Sequence, residues 1–158
     1  MTTAEATARD AGDRREIADL VSRMFRSYDR RELDEETTAR FVADDAHVTT
    51  PVGTARGRAA VARLNAEALG RFDRTQHQAT DLLVEVAPDG ATARAGWNAL
   101  MTHVHHDSTL RGRGPNANPL LVVGGYWHGT LARTAAGWRF DSLAIEPVWH
   151  TGDPPPLG

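Results

Sequence analysis

Hydrophobic residues near the start of the chain recur at the spacing of an α-helix. The spacing of Asp13 and Glu16 is typical of a capping box, which predicts that this helix begins at Asp13. Residues 1–12 are then expected to form a flexible leader. The apolar stripe that the helix would bury consists of Ile17, Leu20, Val21, Met24, Phe25 and Tyr28.

Two more helices and a short strand are predicted before residue 70. A short helix is predicted over 34–41 and a strand over 46–50, with turn residues on both sides of the strand. Gly57 precedes a third helix, predicted over 58–69. The first half of the chain is therefore mainly helical.

The hydrophobic period changes to two in the second half, which is typical of β-strands. The segment 107–119 contains glycine and proline without periodicity, so it is predicted to be a loop. The proline-rich tail 151–158 is expected to be flexible. Strands are predicted over 82–86, 91–105, 120–134 and 138–149, with tight turns between the first two and the last two.

Helices followed by a meander of long strands predict a single α+β domain over residues 13–150. If the sheet curls, a cone-shaped α+β barrel results, in which a curved mixed or antiparallel sheet wraps around the N-terminal helices. Such a cone would enclose a pocket, which is where a small molecule would bind.

Composition excludes several classes of partner and of chemistry. The net charge is −3, and the 18 basic and 21 acidic residues are mixed along the 158-residue chain, so neither a nucleic-acid partner nor a membrane surface is expected. No apolar run approaches the ~18 residues of a membrane span. Cysteine is absent, which excludes thiol chemistry and favours a cytoplasmic location. Lysine is absent as well, which excludes Schiff-base chemistry.

Polar residues on otherwise apolar strand faces are the candidates for chemistry, because burying them costs free energy unless they are paired or used. One face of the predicted strand 91–105 carries, at every second position, Trp97, Met101, His103 and His105. We predict that these side chains line the pocket. Tyr126 and His128 share a face of the next strand and are predicted to bind substrate as well.

Asp29 and His77 are the candidate catalytic pair. A carboxylate bound to one ring nitrogen of a histidine fixes its tautomer, so that the other nitrogen can remove a proton near neutral pH. Tyr28 or Tyr126 could donate a hydrogen bond to a substrate carbonyl. His103 is a further candidate acid.

Structural explanations of the same residues remain open. Asp29 could face water at the end of a helix, His77 could be a hydrogen-bonded loop residue, and Tyr28 could belong to the core. The run of histidines from His103 to His106 suggests a metal cluster, but Asp107 is the single nearby carboxylate, so no metal site is predicted.

Several short motifs, taken in order, resemble the SnoaL-like branch of the nuclear-transport-factor-2-like superfamily over residues 13–150. The likeness rests on Tyr28-Asp29, on Gly57 before the third helix, and on two motifs at residues 41–46 (Phe-Val-Ala-Asp-Asp-Ala) and 137–140 (Gly-Trp-Arg-Phe). Within that branch the chain is most similar to the scytalone dehydratases and the hexachlorocyclohexane dehydrochlorinases, because the sequence Arg-Thr-Gln-His ending at His77 resembles the segment that carries their catalytic histidine.

The resemblance implies a cofactor-independent enzyme in which Asp29 orients His77 as the base. The reaction would be a dehydration, isomerisation or cyclisation of a small hydrophobic ring compound. The alternative is a ligand-binding or accessory subunit without catalysis, such as the small subunit of a ring-hydroxylating oxygenase, which shares the fold. Relatives commonly pair through the outer sheet face, so a homodimer or homotrimer is expected.

Overall fold

The computed structural model describes residues 2–155, which contain four helices and six strands. No helix among these residues is both long enough and apolar enough to cross a membrane. The helices are α1 (Thr3–Asp29), α2 (Glu35–Thr38), α3 (Arg58–Gly70) and α4 (Asp107–Arg113). The strands are β1 (Val42–Thr50), β2 (Gly53–Arg56), β3 (Phe72–Val86), β4 (Thr92–His105), β5 (Leu120–Thr134) and β6 (Gly137–Thr151).

The strands form one curved sheet in the order β2-β1-β6-β5-β4-β3. β1 and β6 run parallel, and all other neighbours are antiparallel, so the sheet is mixed. The predicted α+β class, with a curved sheet around N-terminal helices, is confirmed. The two edge strands, β2 and β3, do not pair, so the sheet is an open cone and not a closed barrel.

The main core lies between α1 and the inner face of the sheet. The apolar stripe predicted for α1 is buried throughout. Trp97 and Trp127 stack on each other with ring centroids 5.9 Å apart, and Phe25 meets both rings edge-on. Burial of each such side chain stabilises the fold by about 1.5–3 kcal/mol. The sheet residues that complete this core include Leu131, Trp138, Phe140 and Leu143.

Helix α1 begins ten residues earlier than the sequence predicts. Its capping box is formed by Thr2 and Glu5, so residues 3–12, expected to be a flexible leader, belong to the helix; Met1 lies outside the described residues. Asp13 instead accepts a hydrogen bond from the indole N–H of Trp138 at 3.3 Å, and Glu16 accepts the main-chain N–H of Trp138 at 3.2 Å. Asp13 and Glu16, which suggested a helix start, therefore connect α1 to the β5–β6 hairpin by hydrogen bonds.

Strand β3 also begins ten residues earlier than predicted, at Phe72. Its register against β4 shifts between Thr80 and Leu83, and Asp81 has a left-handed φ of 54° at that irregularity. Polar residues occupy both faces before Asp81, so the alternation that identifies a strand is hidden there. His77 consequently lies within β3 and not in a loop.

Several other segments also differ from the predictions. The helix predicted over 34–41 contains only the four residues of α2, capped by Asp34. The predicted loop 107–119 contains α4, whose C-cap is Gly114. Of the tail predicted to be flexible, Thr151 belongs to β6, and the carbonyl oxygens of Asp153 and Pro154 contact His105 of β4 and Arg113 of α4; residues 156–158 lie outside the described part. The β2 strand was not predicted.

Candidate functional site

A cavity of about 290 Å³ lies between the inner face of the sheet, α1, α3 and the C-terminal segment. Its walls are mostly apolar, and the polar groups among them are Tyr28, Asn65, His77 and His103, with Thr50 and His150. None of the described residues that line it has a carboxylate or guanidinium side chain. The apolar lining includes Leu64, Leu69, Phe72, Met101, Leu121, Val123, Trp127 and Ile145.

Asp29 and His77, 48 residues apart in the chain, meet at one side of this cavity. Asp29 is the last residue of α1, and His77 lies on β3, which packs against α1. The Nδ1 atom of His77 lies 2.7 Å from Oδ1 of Asp29. The imidazole is 3% exposed and the carboxylate 23%, so the ring is buried while the carboxylate retains some contact with solvent.

The Asp29 carboxylate accepts three hydrogen bonds. Besides the ring of His77, the main-chain N–H of His77 donates to Oδ2 at 2.9 Å and the Thr75 hydroxyl donates to Oδ1 at 3.0 Å. Burial acts to raise the pKa of Asp29, but the hydrogen bonds from His77 and Thr75 outweigh it, and the net pKa lies below its usual value. Asp29 is therefore ionised at neutral pH and holds the Nδ1–H tautomer of His77, which leaves the lone pair on Nε2.

His103 lies beside His77, with ring centroids 5.8 Å apart in an edge-to-face arrangement. Its Nδ1 atom is 3.1 Å from the carbonyl oxygen of Leu121, which can only accept, so Nδ1 carries the proton and Nε2 a lone pair. Burial, followed by the nearby charge of His77, lowers the pKa of His103 to about 4. His103 is thus a neutral hydrogen-bond acceptor at neutral pH.

Tyr28 completes the polar side of the cavity. Its ring lies 5.9 Å from that of His77, and its hydroxyl accepts a hydrogen bond from the Asn65 amide at 3.4 Å. Burial raises the pKa of Tyr28 far above its usual range, so the phenol keeps its proton. Since the hydroxyl oxygen accepts from Asn65, its own O–H is available as a donor.

Of the residues predicted on β4, Met101 and His103 line the cavity. Trp97 lies on the same inner face but is buried between Phe25, Trp127 and Phe140, so it supports the wall and is not part of it. His105 is also buried and does not line the cavity; its Nε2 atom lies 3.0 Å from the carbonyl oxygen of Asp153. The prediction that Trp97 and His105 contact substrate is therefore wrong for this cavity.

Tyr126 and His128 point away from the cavity, contrary to the prediction. Tyr126 is 52% exposed on the outer face of the sheet, and His128 forms an exposed pair with Glu146 at 2.7 Å. Their neighbour Trp127 faces inward instead and lines the cavity. The physical reason is the period of two: only one of two adjacent aromatic residues can face the core, and the larger apolar ring takes that position.

The histidine-rich segment does not converge on one point. His103, His105 and His106 each approach a different main-chain carbonyl, those of Leu121, Asp153 and Gly70. Within residues 2–155 no group of three or more histidine or acidic side chains is arranged to hold a metal ion.

Several site residues could not be identified from sequence patterns. Asn65 lies on α3, where a polar residue on an amphipathic helix gives no signal. Thr75 lies in the part of β3 that the pattern concealed. Pro154 and Pro155 line the cavity because Arg113 of α4 donates hydrogen bonds to the carbonyl oxygens of Asp153 and Pro154.

The chain matches one protein family by sequence and many solved structures by fold. Residues 9–144 match the sequence profile of the family described as SnoaL-like domain. No curated protein sequence matches the chain. Among solved structures, a candidate scytalone dehydratase from Novosphingobium aromaticivorans is 18% identical, with 93% of this chain and 91% of that chain covered and a TM-score of 0.76.

Two further structures show the same fold. A hexachlorocyclohexane dehydrochlorinase of LinA type 3, from Novosphingobium barchaimii, is 21% identical, with 92% of this chain and 93% of that chain covered and a TM-score of 0.76. A nuclear-transport-factor-2-like superfamily protein from Salmonella enterica is 18% identical, with 90% and 96% covered and a TM-score of 0.74. At these identities the likeness establishes the fold.

Proposed function

We infer the function from the premise that this chain belongs to the SnoaL-like domain family. We propose that it is a cofactor-independent enzyme of the lyase or cyclase type, in which His77 removes a proton from a small hydrophobic ring compound. The observation that carries the proposal is the Asp29–His77 pair, joined at 2.7 Å, with His77 at the wall of an apolar cavity.

The proposed base is Nε2 of His77. Asp29 accepts the Nδ1 proton, fixes the tautomer and stabilises the imidazolium that forms when Nε2 takes a proton from carbon. The carboxylate is itself positioned by Thr75 and by the main chain of β3, so the pair is held before substrate arrives. Preorganised general-base catalysis of this kind contributes about 10²–10⁴-fold in rate.

Tyr28 and His103 would bind the substrate on either side of the base. The Tyr28 hydroxyl is a donor for a carbonyl oxygen on which negative charge develops, and Nε2 of His103 is an acceptor for a substrate hydroxyl. Because His103 is neutral and lacks a proton on Nε2, it does not serve as the acid that the sequence suggested. In a dehydration, the imidazolium formed on His77 returns its proton to the departing hydroxyl group, which leaves as water.

The substrate that suits this cavity is an uncharged ring compound. Among residues 2–155, the lining offers no fixed cation to a carboxylate or phosphate and no fixed anion to an amine. The volume of about 290 Å³ lies at the lower end of the range typical of small-molecule pockets, about 300–1,000 Å³. One or two fused rings with a carbonyl and a hydroxyl group would engage His77, Tyr28 and His103.

The proposal is tested with 5-nitrobenzisoxazole, a neutral bicyclic compound whose ring opens to a coloured phenolate when a base removes its single acidic ring proton. We expect the protein to accelerate this reaction, and His77→Gln to reduce the acceleration by about 10²–10⁴-fold. His128→Gln is the matched control, because His128 is also paired with a carboxylate at 2.7 Å but on the exposed outer face.

Binding of the probe is measured in parallel by calorimetry, and folding of each variant by circular dichroism. If the probe binds and no acceleration is seen, or if His77→Gln and His128→Gln behave alike, the enzyme hypothesis is contradicted. A protein that binds the probe without turning it over would be a ligand-binding or accessory subunit.

We also propose that the protein forms a homodimer or homotrimer through the outer face of the sheet. Four large hydrophobic side chains lie exposed there, Leu100, Tyr126, Val148 and Trp149, and three of them are at least half exposed. Contiguous apolar surface of this kind is typical of protein interfaces. A second copy of the chain would cover it by the same patch.

A further inference from the structure

A second recess, of about 440 Å³, lies between α1, residues 37–41 and the β5–β6 hairpin, and shares no lining residue with the cavity described above. We call it the arginine recess. Its floor includes Leu20, Phe41 and Trp138. Five arginines line it, against two glutamates: Arg23, Arg26, Arg30, Arg40 and Arg139, with Glu16 and Glu32.

This concentration of positive charge contrasts with the net charge of −3 of the whole chain. Arg23 pairs with Asp19 at 3.6 Å. The side chains of Arg26, Arg30 and Arg40 form no ion pair or hydrogen bond with any residue in the described range 2–155. Three guanidinium groups are therefore available at one recess.

Two of these arginines lie at the end of α1. Arg26 is in the last turn of the helix and Arg30 is its C-cap, where the negative end of the helix dipole favours cations. Because they are four residues apart, the two side chains lie on the same side of the helix end. No acidic residue of α1 pairs with either of them among the described residues, so both guanidinium groups can bind one anion.

Arg139 provides a guanidinium that is already fixed in place. Its Nε atom donates to the carbonyl oxygen of Ala39 at 3.0 Å, and its Nη1 atom to that of Trp138 at 2.8 Å. Its Nη2 atom donates to none of the described residues, while the group lines the recess. A guanidinium held in this way loses little conformational entropy when it binds an anion.

We propose that the arginine recess binds a phosphate or diphosphate group through Arg26, Arg30, Arg40 and the anchored Arg139. Guanidinium groups donate two parallel hydrogen bonds to phosphate oxygens, and a tetrahedral dianion can engage several of them at once. The ligand is either the free anion or the phosphorylated end of a metabolite whose remaining part lies over Leu20, Phe41 and Trp138.

The test is titration of the protein with sodium pyrophosphate, followed by calorimetry, with ionic strength held constant by sodium chloride. Arg30→Gln and Arg40→Gln each remove one unpaired guanidinium from the recess. Arg94→Gln is the matched control, because Arg94 is an exposed arginine of β4 outside the recess. We expect saturable binding to the wild type and to Arg94→Gln, and affinity reduced by about tenfold or more in each recess variant.

A titration with adenosine diphosphate distinguishes the two sources of the ligand. Equal affinity for both compounds supports recognition of the phosphates alone, and tighter binding of the nucleotide supports a phosphorylated metabolite. The proposal is overturned if pyrophosphate does not bind the wild type saturably, or if all three variants bind it as the wild type does. Circular dichroism confirms that each variant is folded, and the ring-opening assay with 5-nitrobenzisoxazole is independent of this result.

Discussion

Replacing Asp29 by asparagine tests the proposed catalytic pair with almost no change in the size of the side chain. In the native protein Oδ1 accepts hydrogen bonds from the Thr75 hydroxyl and from Nδ1 of His77, and Oδ2 accepts the main-chain N–H of His77. An amide has one acceptor and one donor end, so Asp29→Asn cannot accept all three hydrogen bonds.

The two orientations of the new amide are not equivalent. If its NH₂ group takes the place of Oδ2, it faces the main-chain N–H of His77, and two fixed donors oppose each other. If the NH₂ group takes the place of Oδ1, the Thr75 hydroxyl can rotate to accept, and the His77 ring can accept on Nδ1 by moving its proton to Nε2. The second orientation is therefore expected, and it removes the lone pair that faces the cavity.

The cost in stability follows from the loss of a hydrogen bond to a charged group, about 1.5–3 kcal/mol. For a chain of this length the melting temperature falls by about 2–4 °C for each kcal/mol, which predicts a decrease of about 3–12 °C. The pKa of Asp29 is lowered in the folded state, so its stabilising effect is fully present above its ordinary pKa of about 3.9 and is lost as the pH falls through the lower folded value. The difference between variant and wild type should accordingly shrink in strong acid.

The assay is ¹⁵N NMR of histidine-labelled protein, in which the ring shifts identify the protonated nitrogen, with the His77 signals assigned by their absence from His77→Gln. We expect Nδ1–H in the wild type and Nε2–H in Asp29→Asn, together with the decrease in melting temperature and the loss of ring-opening activity. Asp45→Asn, at an exposed aspartate of β1, is the control. An unchanged His77 tautomer and an unchanged melting temperature in Asp29→Asn would refute the argument that Asp29 sets the protonation of His77.

Two further predictions concern the neighbouring histidine and the outer face. The pKa of His103 is about 4 in the folded protein and about 6.5 in the unfolded chain, so the wild type loses up to about 3 kcal/mol of stability as the pH falls from about 6.5 to 4. Urea unfolding of His103→Leu should show a smaller loss of stability between pH 7 and pH 4.5 than the wild type. Equal losses in the two proteins would contradict a buried, neutral His103 imidazole. Trp149→Glu places a charge on the exposed apolar patch and should shift the sedimentation of the protein toward the monomer; an identical mass for wild type and variant would contradict association through this face.

The parts of the fold that follow a regular period were predictable from the sequence. The α1 stripe and the strands β4 and β5 each follow a single period over many residues. The start of β3 was not predictable, because partly buried polar residues such as Thr75 and His77 interrupt the alternation that marks a strand. The capping box at Asp13 and Glu16 was misleading, because both acids are used in tertiary contacts with Trp138 that no local pattern reveals.

The residues of the candidate site were likewise predictable only in part. The meeting of Asp29 with His77 follows from the motifs on the two elements, and His103 follows from its place on the inner face of β4. The choice of Tyr126 and His128 over Trp127 was wrong because a strand pattern does not say which of its two faces is inward when both carry aromatic residues. The hydrogen bond between Asn65 and Tyr28 depends on the packing of α3, which sequence spacing does not determine.

The attachment of the C-terminal segment through main-chain atoms determines which positions near the cavity can change in sequence. Arg113 and His105 hold this segment through the carbonyl oxygens of Asp153 and Pro154, groups that every amino acid possesses. Side chains at positions 154 and 155 can thus be exchanged while the attachment persists, and they border the space where a guest molecule would sit. The selectivity of the cavity can therefore change through substitutions at these two positions while the Asp29–His77 pair stays as it is.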